Sequence, residues 1–138
     1  ETLYKACDIL SLHMPLLEST RHFVNAETIA RMKDGVTIIN CARGELMNIP
    51  DMIRGIETQK IGALALDVFD KEDGIYHENR RDDIISNRDM AYLRQFPNVI
   101  MTQHMAFYTD AAVQSMVFCG IEGLCDFAKT GHTATELV

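Results

Sequence analysis

The sequence is poor in basic residues. Only 13 Lys and Arg stand against 20 Asp and Glu, which leaves a formal net charge of −7. Binding to a nucleic-acid backbone depends on clustered basic side chains, so nucleic acid is excluded as the main partner. No uninterrupted run of about 18 apolar residues occurs, and the residues after Glu1 lack the basic and then apolar pattern of a signal peptide. We therefore expect a cytoplasmic protein that does not bind a membrane.

Cysteine pairs with the spacing of metal or redox motifs are also missing. The four cysteines stand at positions 7, 41, 119 and 125, and no two of them are separated by two residues. Each lies in an apolar stretch, so we expect buried free thiols in a reducing compartment rather than disulfides. A glycine-rich phosphate-binding loop does not occur in this sequence either.

What the chain does contain is enough apolar sequence for a folded core. Hydrophobic residues make up 47% and charged residues 24% of the 138 residues, which is typical of a globular protein. Four short apolar runs, at 8–14, 36–40, 63–69 and 98–102, predict buried strands. None of these runs alternates between apolar and polar residues, as is typical of parallel strands covered on both faces.

Helices are predicted between and after these strands. Asn25 and Asn48 are good N-caps for helices over 26–33, which we expect to end at Gly35, and over 49–58. Apolar residues recur at intervals of three and four through 109–129, which predicts a long last helix. Strands that alternate with helices indicate an α/β fold with a parallel sheet. The first residues, ETLYKA, are typical of a helix end, so the four strands resemble the second half of a larger sheet.

The charged stretch 70–95 connects the third and fourth predicted strands. It contains one short predicted helix, at 89–95, and is otherwise irregular. Connections of this length in a compact domain are often functional.

Ionisable residues follow three of the four predicted strands. Ligands bind beyond the carboxyl ends of the strands in open α/β sheets. Arg43 follows the second strand, Asp67 and Glu72 follow the third, and His104 follows the fourth. Each has an ordinary structural alternative: a turn cap, a solvated acid or a hydrogen-bonded core histidine. Their shared placement nevertheless predicts one catalytic set. The other histidines, 13, 22, 77 and 132, are expected to be structural or surface residues.

Four stretches around these residues resemble the D-isomer-specific 2-hydroxyacid dehydrogenases. They are DILSLHMPLLESTRHFVN, MKDGVTIINCARGELMN, IGALALDVFDKEDGIY and PNVIMTQHMAFYTDAAVQSM, in the family's order and over nearly the whole chain. Within the family the sequence is most similar to the D-lactate dehydrogenase branch, followed by D-2-hydroxyisocaproate dehydrogenase. The resemblance implies the second half of a Rossmann-type, NAD-binding parallel sheet over 1–108. Residues 109–138 would be the helix and tail that return to the substrate-binding domain.

The resemblance further implies that the chain is the C-terminal part of such an enzyme. In the family, most of the substrate-binding domain and the GxGxxG half of the nucleotide-binding domain come first. The isolated chain should then bind NAD weakly and turn over no substrate, whereas the full-length enzyme is expected to be a homodimer. The residues that select NAD or NADP would lie in that first half.

The resemblance implies a role for each strand-end residue. Arg43 matches the substrate-binding arginine, whose planar fork suits a 2-oxo acid. His104 matches the proton donor, and Glu72 matches the carboxylate that orients it. Asp67 matches an acid near the nicotinamide of NAD. The implied reaction reduces pyruvate or a related 2-oxo acid with NADH to the D-2-hydroxy acid, without a metal ion.

Further positions match family contacts to the cofactor or substrate. The implied cofactor-binding residues are Met14, Pro15, Thr20, Cys41, Ala42, Arg43 and Asp67. Phe107 would line the substrate pocket together with Arg43 and His104. Gln103 departs from the family, which usually has proline before the histidine, so a looser placement of His104 is expected.

Two alternatives to the D-lactate type stay open. One is another 2-hydroxyacid dehydrogenase, of the hydroxyisocaproate, glyoxylate/hydroxypyruvate or phosphoglycerate type. The other is a non-catalytic corepressor-like protein of the same fold that binds partners instead of turning over a substrate.

Overall fold

The computed structural model describes residues 2–77, 79 and 86–134. The chain forms two compact units, Glu1–His104 and Met105–Val138. The sequence-based boundary was placed between residues 108 and 109. The assignment of the two segments to particular domains of a complete enzyme stays a prediction.

The first unit contains a four-stranded parallel sheet. Its strands are β1 (Ile9–Leu12), β2 (Val36–Asn40), β3 (Ile61–Leu66) and β4 (Val99–Met101), in the spatial order β1-β2-β3-β4. All four predicted strands are therefore confirmed. The third begins at Ile61 rather than at residue 63 and ends before Asp67, whose N–H donates to the Asn40 carbonyl of β2 and whose carbonyl accepts the His104 N–H.

Four helices connect or precede these strands in the described part of the first unit. They are α1 (Thr2–Ala6), α2 (Ala26–Ala30), α3 (Ile49–Glu57) and α4 (Arg88–Leu93). The predicted caps Asn25 and Asn48 accept backbone N–H bonds at the starts of α2 and α3. Helix α2 is shorter than predicted because Arg31 and Met32 bond three residues back, which tightens its last turn. Gly35 instead forms the left-handed turn before β2, with φ +77°.

The hydrophobic core joins the sheet to these helices. Leu12, Ile38, Leu64 and Leu66 of the strands are almost fully buried. The same cluster includes helix residues Ile29, Met52, Ile56, Met90 and Leu93. Burial of each side chain of this size stabilises the folded state by about 1.5–3 kcal/mol relative to an exposed one. The packed core therefore holds the strands, and with them the strand ends, in fixed positions.

The second unit contains the long helix α5, Asp110–Thr130, as predicted. Thr109 caps its start, and Gly131 ends it in a left-handed conformation. None of its residues is buried, and Leu124 is 73% exposed. By length and composition alone this helix could cross a membrane, with a mean hydropathy of 1.2 over 18 residues. Glu122 and Asp126 interrupt the apolar residues of this helix, so the sequence contains no continuous apolar run there.

The cysteines are free, as expected, but the prediction that they are buried was wrong. Cys41, Cys119 and Cys125 are exposed, and Cys7 is half-buried. Cys119 and Cys125 belong to helix α5, in which no residue is buried, and Cys41 directly follows the carboxyl end of β2. An apolar sequence context therefore did not predict burial at these positions.

Candidate active site

Glu72 and His104 form a hydrogen-bonded pair beyond the carboxyl ends of β3 and β4. The Nδ1 atom of His104 lies 2.5 Å from Oε1 of Glu72, and Oε2 of Glu72 accepts the Phe69 N–H at 2.7 Å. The side chain of His104 is 32% exposed and that of Glu72 is 21% exposed. Because Glu72 holds Nδ1, the ring presents Nε2 as the nitrogen available for a ligand.

Asp67 positions the segment that carries His104. The Asp67 carbonyl accepts the His104 N–H at 2.6 Å, and its carboxylate accepts the hydroxyl of Thr102. The N–H of Thr102 also donates to Leu66 at 2.9 Å. His104 itself has a left-handed backbone, with φ +54°. These bonds hold the segment on both sides of Gln103, which is not proline here.

Arg43 stands on a turn after β2 that is shaped by a buried asparagine. Asn40 is fully buried; its side chain donates to the Arg43 carbonyl at 2.8 Å and accepts the Ala42 N–H at 3.0 Å. The Arg43 side chain is exposed, and its Nη1 donates to the Ala42 carbonyl at 2.7 Å. In the described residues, no hydrogen bond or ion pair joins Arg43 to Glu72 or His104.

Gly44 brings the Arg43 turn against the loop that carries Glu72. A Cβ atom at position 44 would lie 2.1 Å from the Phe69 carbonyl carbon and 2.3 Å from the Asp70 nitrogen. Only glycine permits so close a backbone approach. The short 3₁₀-helix Gly44–Leu46 that follows was not predicted from the sequence. The ends of β2 and β3 therefore meet at this glycine.

The acidic residues of the site affect neighbouring side chains. Partial burial, followed by the negative charge of Asp67, raises the pKa of the Cys41 thiol. Burial and the charges of Glu72 and Asp67 raise the pKa of Tyr76 to about 12, against the opposing effect of Arg94. The fully buried Asn40 also links to Asp67, because its carbonyl accepts the Asp67 N–H at 3.0 Å. Asp67 thus connects the ends of β2, β3 and β4.

Six of the seven predicted cofactor-binding residues lie after β1 and β2, and Asp67 follows β3. Met14 and Ala42 are half-buried, whereas Pro15 and Cys41 are exposed. The Thr20 hydroxyl donates to the Pro15 carbonyl at 2.8 Å and accepts the Leu17 N–H at 2.8 Å, so it stabilises the turn after β1. Apart from Arg43 and Asp67, the predicted cofactor-binding side chains are uncharged, and their contact with a cofactor stays a prediction.

Phe107, the predicted substrate-pocket residue, belongs to the second unit. Its side chain is 44% exposed, and its ring centroid lies 6.2 Å from that of Tyr108 in an edge-to-face arrangement. Its part in binding a substrate stays a prediction.

A cavity of about 670 Å³ lies beside the site in the described part of the first unit. It is bounded by Phe69, Asp70 and Lys71 on one side and by Asn87 and Arg88 on the other, and neither Glu72 nor His104 lines it. The described residues contain no cluster of three or more potential metal ligands.

Several residues of the site were not singled out from the sequence. Asn40 bonds within its own turn, Gly44 makes a close backbone approach to Phe69, and Thr102 contacts Asp67 at the end of the neighbouring strand. Glycine directly after Arg43 and threonine two residues before His104 were the available signals. Both residue types are too common to be specific.

Comparisons with known proteins identify the family of this fold. The NAD-binding domain model of the D-isomer specific 2-hydroxyacid dehydrogenases matches residues 1–106. The whole chain is 42% identical to an aromatic 2-oxoacid reductase of Clostridium sporogenes, covering 42% of it, and 36% identical to D-lactate dehydrogenase kk1H of Curvularia clavata, covering 40%. A D-lactate dehydrogenase structure from Sporolactobacillus sp. superimposes with a TM-score of 0.94 at 31% identity, over 98% of this chain and 41% of that one. The NAD+ complex of D-lactate dehydrogenase from Lactobacillus jensenii gives a TM-score of 0.89 at 32% identity, over 99% and 41%.

The chain spans about two fifths of the length of the relatives it matches. The family match covers more than three quarters of its residues, and it includes every strand of the sheet and the Glu72–His104 pair. The chain belongs to the D-isomer specific 2-hydroxyacid dehydrogenase family, within its NAD-binding domain.

Proposed function

We propose that the whole protein reduces 2-oxo acids to D-2-hydroxy acids with NADH, in the manner of a D-lactate dehydrogenase. The observation that carries this proposal is the Glu72–His104 pair beyond the strand ends, with Nε2 of the imidazole available. A ketone that accepts a hydride needs a proton on its oxygen, and histidine supplies protons near neutral pH.

Arg43 is the residue proposed to bind the substrate. Its guanidinium is exposed at the end of β2 and has a fixed charge and a planar fork. Such a fork binds the carboxylate and ketone oxygens of a 2-oxo acid together. The same charge stabilises the negative charge that develops on the ketone oxygen. Asn40 and Gly44 are positioning residues here, because they shape the turn beneath Arg43.

His104 is the proposed proton donor, and Glu72 its positioning residue. Nε2 gives its proton to the ketone oxygen while the carboxylate of Glu72 holds Nδ1. The carboxylate of Glu72 orients the ring, and the bond from the Phe69 N–H fixes the carboxylate itself. The balanced reaction consumes one 2-oxo acid, one NADH and one proton. The ring regains its proton from solvent.

NAD is the cofactor of this domain family, and when bound in its reduced form it supplies the hydride. Met14, Pro15, Cys41 and Ala42 would hold the nicotinamide end at the uncharged edge after β1 and β2. Thr20 would contribute through the turn that it stabilises, and Asp67 through its negative charge.

The proposal also concerns which side chain the 2-oxo acid substrate carries. Pyruvate or a short aliphatic 2-oxo acid follows from the D-lactate dehydrogenase relatives. An aromatic 2-oxo acid is the second candidate, because one relative at 42% identity is named an aromatic 2-oxoacid reductase. The exposed pair Phe107 and Tyr108 would suit an aromatic or aliphatic side chain.

The test measures NADH oxidation by the whole protein with pyruvate, phenylpyruvate and hydroxypyruvate, followed by determination of the product's chirality. Arg43→Lys and His104→Asn should each lower kcat/KM at least 100-fold, which corresponds to about 3 kcal/mol of lost transition-state stabilisation. Arg54→Gln, on the surface of α3, is the matched control and should change little. Folded, NAD-binding protein that oxidises no NADH with any 2-oxo acid would instead support the corepressor-like alternative.

Two further expectations belong to the same proposal. The isolated chain should bind NAD weakly and show no turnover, which isothermal calorimetry and the same assay can check. The whole protein should sediment as a homodimer.

A further inference from the structure

The fully buried amide of Asn40 fixes one peptide group in the turn after β2. Its Nδ2 donates to the Arg43 carbonyl at 2.8 Å, and its Oδ1 accepts the Ala42 N–H at 3.0 Å. The Leu46 N–H donates to the same Arg43 carbonyl at 3.2 Å. The peptide group between Arg43 and Gly44 is therefore held from both sides, by the end of β2 and by the 3₁₀-helix that follows.

This peptide group lies against the loop that carries Glu72. Gly44 approaches the Phe69 carbonyl group so closely that a Cβ atom has no room, so a displacement of the turn toward the loop also moves the Phe69 backbone. The Phe69 N–H donates to Oε2 of Glu72 at 2.7 Å, and Oε1 of the same carboxylate holds Nδ1 of His104 at 2.5 Å. A continuous series of contacts thus joins the amide of Asn40 to the ring of His104.

A second connection between Asn40 and His104 passes through the sheet. The Asn40 carbonyl accepts the Asp67 N–H at 3.0 Å, and the Asp67 carbonyl accepts the His104 N–H at 2.6 Å. Both are backbone bonds, which a change of the Asn40 side chain leaves in place. The backbone of His104 is therefore held through Asp67 and its ring through Glu72. Loss of the Asn40 amide should misorient the ring while the segment stays on the sheet.

We propose that Asn40 is a positioning residue for the proton donor as well as for Arg43. Its amide holds the turn against Phe69, and this keeps the carboxylate of Glu72 where it orients the imidazole of His104. The inference rests on the proposed function. A misplacement of about 1 Å at a reacting group can lower a rate about 100-fold, so even a small shift of this carboxylate should lower kcat.

The simpler interpretation is that Asn40 only supports the turn beneath Arg43. A displaced Arg43 weakens binding of the 2-oxo acid and acts independently of Glu72. A misoriented His104 lowers kcat by a route that requires the carboxylate of Glu72. The two interpretations therefore differ in whether the effect on kcat persists when that carboxylate is already absent.

Asn40→Ala in the whole protein removes both hydrogen bonds of the amide. We expect kcat for 2-oxo acid reduction to fall about tenfold and KM to rise, because the Arg43 turn is loosened. In a Glu72→Gln background, the same substitution should lower kcat less than about twofold, while its effect on KM stays the same. Asn40→Ser keeps a hydroxyl in the turn and takes the place of the alanine variant if that protein is too unstable to assay.

Asn48→Ala is the matched control. Asn48 is half-buried and caps α3 by accepting the Asp51 N–H at 3.2 Å. Its replacement also removes a structural asparagine bond and should lower the midpoint of thermal unfolding, but at a position outside the turn. Its kcat should stay within about twofold of wild type.

The NMR signal of the His104 ring N–H provides a readout that does not depend on activity. It is assigned in the whole protein by its loss in His104→Asn, and its position reports the hydrogen bond to Glu72. The signal should move or disappear in Asn40→Ala and stay unchanged in Asn48→Ala.

The proposal is supported if the signal changes in this way and the kcat effect of Asn40→Ala vanishes in the Glu72→Gln background. An unmoved signal, or an undiminished tenfold effect in that background, would overturn it and leave the reductase function intact. If the whole protein reduces no 2-oxo acid, the proposed function fails. The signal alone then decides whether Asn40 positions the ring of His104.

Discussion

The backbone N–H of His104 donates a 2.6 Å hydrogen bond to the carbonyl of Asp67, which joins the end of β4 to the end of β3. The carboxylate of the same aspartate accepts the hydroxyl of Thr102. Two separate groups of one buried residue therefore hold the chain before and at the histidine. This arrangement provides the constraint that a proline at position 103 would otherwise supply.

Replacement of Thr102 tests this constraint. Thr102→Val removes the hydroxyl, and the carboxylate of Asp67, a residue that is 5% exposed, then lacks that donor. We therefore expect kcat for ketone reduction to fall about tenfold or more. Thr102→Ser keeps the hydroxyl and is the matched control, expected within about twofold of wild type. Equal losses in both variants would mean that the methyl group, rather than the hydrogen bond, is what matters. Steady-state kinetics with thermal unfolding as a fold check decides between these results.

The sequence predicted the frame of this site better than its details. Continuous apolar runs identified the four strands, and Asn25 and Asn48 identified two helix starts, because both signals are local. Strand-end placement predicted that Arg43, Asp67, Glu72 and His104 share one end of the sheet, and the resemblance to the family paired Glu72 with His104. The exposure of three cysteines and of helix α5 could not be predicted from the sequence, because the exposed fraction of a residue depends on which surfaces a neighbouring element covers. The contact of Gly44 with Phe69 likewise arises only after the sheet has formed.

Gly44→Ala should destabilise the protein. The new Cβ would lie about 2 Å from the backbone of Phe69, which cannot move as a flexible side chain would. We expect a loss of about 2–3 kcal/mol in the free energy of unfolding, at the upper end of overpacking effects, measured by urea denaturation. Gly120→Ala on α5 is the control. A Cβ there meets nothing within 4 Å, so helix propensity should make it neutral or stabilising by up to about 1 kcal/mol.

Cys41 should react slowly with iodoacetamide despite its exposure. Partial burial and the charge of Asp67 raise its pKa, so less of the reactive thiolate is present at pH 7.5. Asp67→Asn removes that charge while keeping an acceptor for Thr102, and it should speed alkylation of Cys41 about twofold or more. Cys119 on α5 serves as the internal reference in the same mass-spectrometric time course. A Cys41 rate that is unchanged relative to Cys119 would show that the charge of Asp67 has no influence on the thiol.

Tyr76 should make the folded state sensitive to alkaline pH. Its pKa is raised from 10.0 to about 12, chiefly by burial and then by Glu72. The folded state thus favours the neutral phenol, a contribution that is complete below pH 10 and is lost as the pH rises from 10 through 12. Between these values wild type should lose stability more steeply than Tyr76→Phe, as followed by chemical denaturation at each pH. Parallel stability curves for the two proteins would contradict a buried, neutral phenol.

Glu72→Gln should weaken proton transfer without abolishing binding of the 2-oxo acid. The amide can still accept the Phe69 N–H, but it places no negative charge against Nδ1 of His104. The imidazole ring loses the carboxylate that orients it, so kcat should fall about tenfold or more.

The matched control for this variant is Asp73→Asn, which removes the same charge from the next residue of the loop, an exposed position. Its kcat should stay within about twofold of wild type. KM for the 2-oxo acid should change little in either variant, because Arg43 provides the proposed binding contact. A Glu72→Gln enzyme with an unchanged kcat would mean that the 2.5 Å contact between Glu72 and His104 only anchors the loop.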